Sequence, residues 1–86
     1  MVLYLASYSR FPITRADAEL LSTRYPLPSV EAVDCRGVYS ASHCFADELF
    51  SRIGHDAQIL NASGYVQRVM EAGRNTARPD WEKPVL

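Results

Sequence analysis

Three times along the chain a short apolar run gives way to a segment with helical spacing. The first run, Val2 to Tyr8 (VLYLASY), is aliphatic and aromatic, and predicts a strand of the core sheet buried on at least one face. Thr14 then offers a cap with Asp17 three positions on, in the manner of a capping box. Ala16, Leu20 and Leu21 mark one side of a helix near 14–24, which Tyr25-Pro26 ends. Pro26-Leu27-Pro28-Ser29 is a short linker, because two prolines rule out regular hydrogen bonding there. Val30 to Cys35 (VEAVDC) predicts a second strand. Gly37 supplies the turn after it, and Ser42 caps a second helix over 43–53. In that helix Phe45, Leu49 and Ile53 recur at fourfold spacing, Ala46 and Phe50 widen the stripe, and Gly54 closes the C-terminus. Ala57 to Leu60 (AQIL) predicts a third short strand. Asn61 or Ser63 then caps a third helix with Tyr65, Val66, Val69 and Met70 toward the core, and Gly73 ends it.

The order β-α-β-α-β-α predicts an α/β fold with a parallel or mixed sheet, because parallel strands require crossover helices and those crossovers are right-handed. Residues 1–73 form the expected domain. From Arg74 the text RNTARPDWEKPVL has two prolines and almost no periodicity, so 74–86 reads as a tail. There Arg78, Pro79 and Trp81 offer either a docking peptide or an aromatic that folds back onto the core.

Length and charge narrow the function classes. Eighty-six residues suffice for one domain with a thin core. A net charge of −1, a pI near 6.0 and a single lysine, Lys83, give no overall pull toward a phosphate backbone, so direct nucleic-acid binding is not expected. Arg10, Arg15, Arg24, Arg52, Arg68, Arg74 and Arg78 are dispersed among acids and read as solvated faces. The opening VLYLA is cut off by Ser7, Ser9 and Arg10 before a signal-peptide core forms, and no later run reaches the length of a membrane span. With only Cys35 and Cys44, thiols in a reducing cytoplasm fit better than a disulfide framework.

The run VDCRGVYSASHCFADELF (33–50) resembles the central signature of the STAS-like family of unknown function. In that signature a strand ending in Asp leads through a Gly-Val turn to a Phe-Ala-Asp-Glu helix start. TRADAELL upstream and LNASGYVQRVM downstream resemble the family's first and closing helices, so the likeness covers roughly residues 9 to 74. The family is similar in fold to anti-sigma-factor antagonists and to the STAS domains of anion transporters, which are switches and docking modules. In the antagonists a serine at the helix start after the second core strand accepts phosphate from a partner kinase. A helix N-terminus favours an anion, and the added charge alters a docking surface. The resemblance places Cys44 at the phosphoacceptor position, where a thiol does not serve that cycle. Ser40 and Ser42 lie close, and Ser42, which reads first as the cap, is the candidate modification site.

Other chemistry in the same stretch is weaker. Cys44 near a helix N-terminus, with His43, Asp47 and His55 at hand, raises a cysteine nucleophile. Adjacent helical residues point about 100° apart, however, so His43 diverges from Cys44 and faces Asp47 four positions on. A cysteine-dependent enzyme would need His55 to approach Cys44. The simpler expectation is a buried or half-buried Cys44, with Cys35 in the core. His43, Cys44, Asp47, Asp34 and His55 lack the spacing of a structural zinc site, and no glycine-rich phosphate loop appears, so no metal or cofactor is expected. Asp47 and Glu48 read as complements to the helix dipole. Asp34, at a strand's C-terminal end where ligands of open α/β sheets gather, is the stronger polar candidate, although it equally suits hydrogen bonds from the following loop.

The sequence thus predicts a non-enzymatic, regulatory docking module. Its partner-binding residues are Asp34, Ser40, Ser42, His43, Cys44 and Asp47, and Arg78 and Trp81 are candidates for tail docking. The resemblance implies a bacterial or phage origin and a protein partner, either a histidine-kinase-like ATPase or a regulator of transcription; a homodimer is compatible with it. The rival expectation is a small phage or mobile-element inhibitor or adaptor that occupies a surface of a nucleic-acid-handling complex.

Overall fold

A computed structural model describes residues 1–12 and 14–77. The elements run β1 (Val2–Tyr4), α1 (Arg15–Arg24), β2 (Ala32–Asp34), α2 (His43–Ile53), β3 (Gln58–Leu60) and α3 (Gly64–Thr76), with 3-10 turns at Leu5–Ser7 and Leu27–Ser29. The three strands form one parallel sheet in the order β1-β2-β3, with Leu3, Val33 and Ile59 side by side in register. The chain is therefore α/β in the β-α-β-α-β-α order that the apolar runs predict. Parallel crossovers follow the right-handed rule, which for the order β1-β2-β3 lays successive helices on one face of the sheet. Accordingly α1 packs on α2 and α2 on α3.

Each helix starts and stops for a local reason. Thr14 and Asp17 form the capping box: the Asp17 N–H donates to Thr14 Oγ1 at 3.3 Å and the Thr14 N–H donates to Asp17 Oδ2 at 2.8 Å. Ser42 Oγ accepts the Phe45 N–H at 3.1 Å, and Gly54 takes φ +111° just after α2. Phe45, Ala46, Leu49, Phe50 and Ile53 are all buried, so the fourfold stripe of α2 is the centre of the core. Leu3, Leu21, Val33, Val69 and Met70 close around it. A Leu or Phe fully removed from water there is worth about 1.5–3 kcal/mol.

Several expectations are corrected. β1 and β2 are three residues each, because Leu5 enters a 3-10 turn and neither Val30 nor Cys35 belongs to the ladder, although both are buried. Within α1 the buried positions are Ala18 and Leu21, while Ala16 and Leu20 face solvent. Tyr65 stands 51% exposed at the start of α3 instead of in the core. Ser63 takes the N-cap position of α3 without a side-chain cap bond. Gly73 does not end α3, which continues to Thr76. It is where α3 crosses α2, and a Cβ placed on Gly73 would lie 2.7 Å from Ala46 Cβ and 2.8 Å from the Ala46 carbonyl carbon. The glycine is there for backbone approach and not for chain reversal. Arg78 and Trp81 lie outside the described residues.

Among the described residues no helix is long and apolar enough to cross a membrane.

Candidate functional site

Parallel strands followed by helices bring every strand-to-helix segment to one edge of the sheet, the edge where the strands end. Three such segments meet here and are tied to one another. Tyr39 N–H donates to the Arg10 carbonyl at 2.9 Å, and Ser42 N–H donates to the Pro12 carbonyl at 3.2 Å, which joins the first segment to the second. Asn61, at φ +56°, donates from Nδ2 to Asp34 Oδ2 at 3.1 Å, which joins the second to the third. His43 on α2 then meets Tyr65 on α3 edge-on, with ring centroids 6.4 Å apart.

Asp34 is the keystone of this edge. Its other oxygen, Oδ1, accepts the Arg36 N–H at 2.9 Å, so both carboxylate oxygens hold loops. Of the two roles open to Asp34, the hydrogen bonds from its surroundings are the one seen. Just past it the chain reverses. Val38 N–H donates to the Cys35 carbonyl at 3.0 Å and Gly37 adopts φ +81°, which side chains other than glycine rarely tolerate. A Cβ at Gly37 would also stand 3.4 Å from Ala6 Cβ.

The remaining predicted residues fall along the path from this turn into α2. Ser40 is half-buried, and its N–H donates to the Arg10 carbonyl at 3.4 Å. Ser42 is half-buried with its hydroxyl in the cap. His43 and Cys44 are exposed in the first turn of α2, so Cys44 is not the buried or half-buried thiol expected. Asp47 is half-buried one turn on, and no hydrogen bond or ion pair joins it to His43 among the described residues. The i,i+4 relation is present, but the His43 ring is engaged with Tyr65 instead. Glu48 is not a dipole complement either: it lies beyond the first turn, pairs with Arg52 at 3.5 Å and accepts the Ser51 hydroxyl at 3.0 Å.

The two thiols differ in kind. Cys35 is 2% exposed, and burial pushes its thiol up to about 11 from an ordinary value near 9, with the Asp34 carboxylate adding to the effect. It is a core residue, not a nucleophile. His55 lies beyond the far end of α2, paired with Asp56 at 3.2 Å, and an eleven-residue helix puts about 15 Å between the two ends. The approach of His55 to Cys44 that cysteine catalysis requires is not made. His55 instead lines a groove of about 440 Å³ with Val30, Glu31, Ile53 and Ala57, at the opposite edge of the sheet. Among the described residues no group of three or more His, Cys, Asp and Glu side chains is placed to hold a metal.

The structure adds residues that the sequence reading passes over. Arg10 Nη1 donates to the Tyr39 hydroxyl at 2.9 Å and its guanidinium carbon lies 5.5 Å from that ring's centre. Phe11 packs on the same Tyr39 ring, with centroids 5.4 Å apart and planes at 49°. Phe11 and Tyr39 are 55% and 63% exposed. The available signal was the lack of any carboxylate from 1 to 16 and from 35 to 46. Dispersal of arginines along the sequence hid their gathering in space. Comparison with protein families, with characterised proteins and with solved structures finds no match to this chain.

Proposed function

We propose that the chain is a non-enzymatic docking module of the STAS-like kind, which engages a protein partner through the segment 34–48. The observation that carries this reading is the set of hydrogen bonds that holds that segment. Asp34 clamps it at one end, Ser42 caps it at the other, and backbone bonds to Arg10 and Pro12 hold the middle, while Tyr39, His43 and Cys44 stand exposed on it. A surface ordered before contact loses little conformational freedom on binding, so more of the contact energy appears as affinity. The resemblance of VDCRGVYSASHCFADELF to the STAS-like signature supports the same segment and suggests a histidine-kinase-like ATPase or a transcription regulator as the partner. Phosphate on Ser42 would fall at the start of α2, where anions are favoured, and would change the charge of the surface.

The test is capture from a native lysate by the wild-type chain, by His43→Ala with Asp47→Ala, and by Cys44→Asp, with mass spectrometry as the readout. A partner held by the wild type and lost from the variants, each still folded by circular dichroism, is the expected outcome. Equal capture by all forms would move the interface elsewhere. Native alkylation of Cys44 faster than that of a small free thiol would turn the reading toward chemistry.

A further inference from the structure

The edge that carries the docking segment has an unbalanced charge. No carboxylate occurs in residues 1–16, 35–46 or 57–70, which include all three strand-to-helix segments. Five acids border these runs, Asp17, Asp34, Asp47, Asp56 and Glu71, and two of them, Asp17 and Asp34, are engaged in holding this edge together. Asp17 holds the capping box and accepts the Tyr8 hydroxyl, and Asp34 holds Arg36 N–H and Asn61. Arg10, Arg15 and Arg36 are exposed on this edge, and none of them pairs with a carboxylate among the described residues. At the opposite edge the acids have cationic or imidazole partners: Glu31 binds the N-terminal ammonium at 3.0 Å and Asp56 meets His55 at 3.2 Å.

Beside these cations lie two large rings that stay outside the buried core. The loops are already joined through main-chain bonds to the Arg10 and Pro12 carbonyls. Phe11 and Tyr39 therefore stay more than half exposed without closing any core. Aromatic rings next to arginine are the residue types that dominate binding energy at protein interfaces. Guanidinium groups pair with carboxylates in a bidentate fork.

We propose that Arg10, Phe11 and Tyr39 form a clamp that reads the partner, and that what it takes is an acidic peptide segment bearing an apolar or aromatic anchor. The anchor seats on the Phe11 and Tyr39 rings, and carboxylates meet Arg10, Arg15 and Arg36. This rests on the docking reading and adds to it the chemistry of the partner and a second loop. Nucleic acid is the less favoured anion, because three arginines on a chain of net charge −1 make a small footprint for a phosphate backbone.

The experiment is selection from a displayed library of random twelve-residue peptides, followed by anisotropy titration of the selected peptides against the whole chain. Wild-type protein is expected to select peptides enriched in Asp and Glu around one aromatic or aliphatic residue. Arg10→Glu and Tyr39→Ala should each weaken binding by about tenfold or more, as anchor residues do, while Arg10→Lys retains part of it. Binding should also weaken as salt is raised. Selection without acidic enrichment, or equal binding by Arg10→Glu and Tyr39→Ala, would overturn the proposal. So would tighter binding of a twelve-residue oligothymidylate than of any selected peptide. If His43→Ala loses the selected peptides while the clamp variants keep them, docking through 34–48 stands and the clamp falls. If the folded wild type selects no peptide and captures nothing from lysate, both fall together.

Discussion

Cys35 and Cys44 show how one residue type takes two characters nine positions apart. Desolvation keeps the Cys35 thiol protonated to about pH 11, whereas the unfolded chain releases the same proton near pH 9. Between those values the unfolded state binds fewer protons than the folded one, so stability must fall as pH rises through that window and is untouched below it. A two-unit gap corresponds to at most about 3 kcal/mol. Urea titrations of the wild type and of Cys35→Ala at pH 8 and pH 11 should show an extra loss in the wild type alone. Tyr8 works in the same direction, because its hydroxyl donates to Asp17 and its pKa is held above the ordinary value. Alkylation counts provide a second check: one thiol should label in the native protein, at Cys44, and two after unfolding. The burial of Cys35 was legible from its place at the end of an apolar run. The exposure of Cys44 follows from helical phase, which puts it on the face opposite Phe45, Ala46, Leu49, Phe50 and Ile53, but the usual preference of cysteine for burial pointed the other way.

At the level of elements, α2 was the most legible and α3 the least. Ser42 and Gly54 bracket a run in which every fourth position is large and apolar, and those signals agree at both ends. In α3 two signals misled. Tyr65 fits the apolar spacing, yet it precedes the point where α3 reaches α2, and its ring meets His43 instead. Gly73 has the composition of a stop, and nothing local reveals that Ala46 of another helix lies against it. Replacing Gly73 with Ala should therefore destabilise the domain despite the better helix propensity of alanine. The added carbon meets the Ala46 backbone as well as its methyl group, and neither can move cheaply. Overpacking of this kind costs about 1–3 kcal/mol, so thermal unfolding should fall by roughly 10 °C. The strands were found but drawn too long, since burial extends beyond the ladder: Leu5, Val30 and Cys35 are all buried outside it. The candidate site was half legible. Asp34 through Asp47 came from one continuous stretch, while Arg10, Phe11, Asn61 and Tyr65 reach that edge only through the return of the chain.

For the whole molecule, the core is one cluster spanning all three helices and the sheet. Unfolding should accordingly be a single cooperative transition, with fluorescence and circular dichroism superimposing in urea. Two separate transitions would mean that α3 and β3 form an independent unit. The strand order β1-β2-β3 carries a further consequence, for the way the protein comes into being. Each new strand adds beside the one synthesised just before it, and none has to be inserted between two already in place. The first pairing, Val2–Tyr4 with Ala32–Asp34, is made entirely of residues up to 34. The sheet can thus be extended in the order of synthesis, while the core closes as one unit only once α2 and α3 have packed on it.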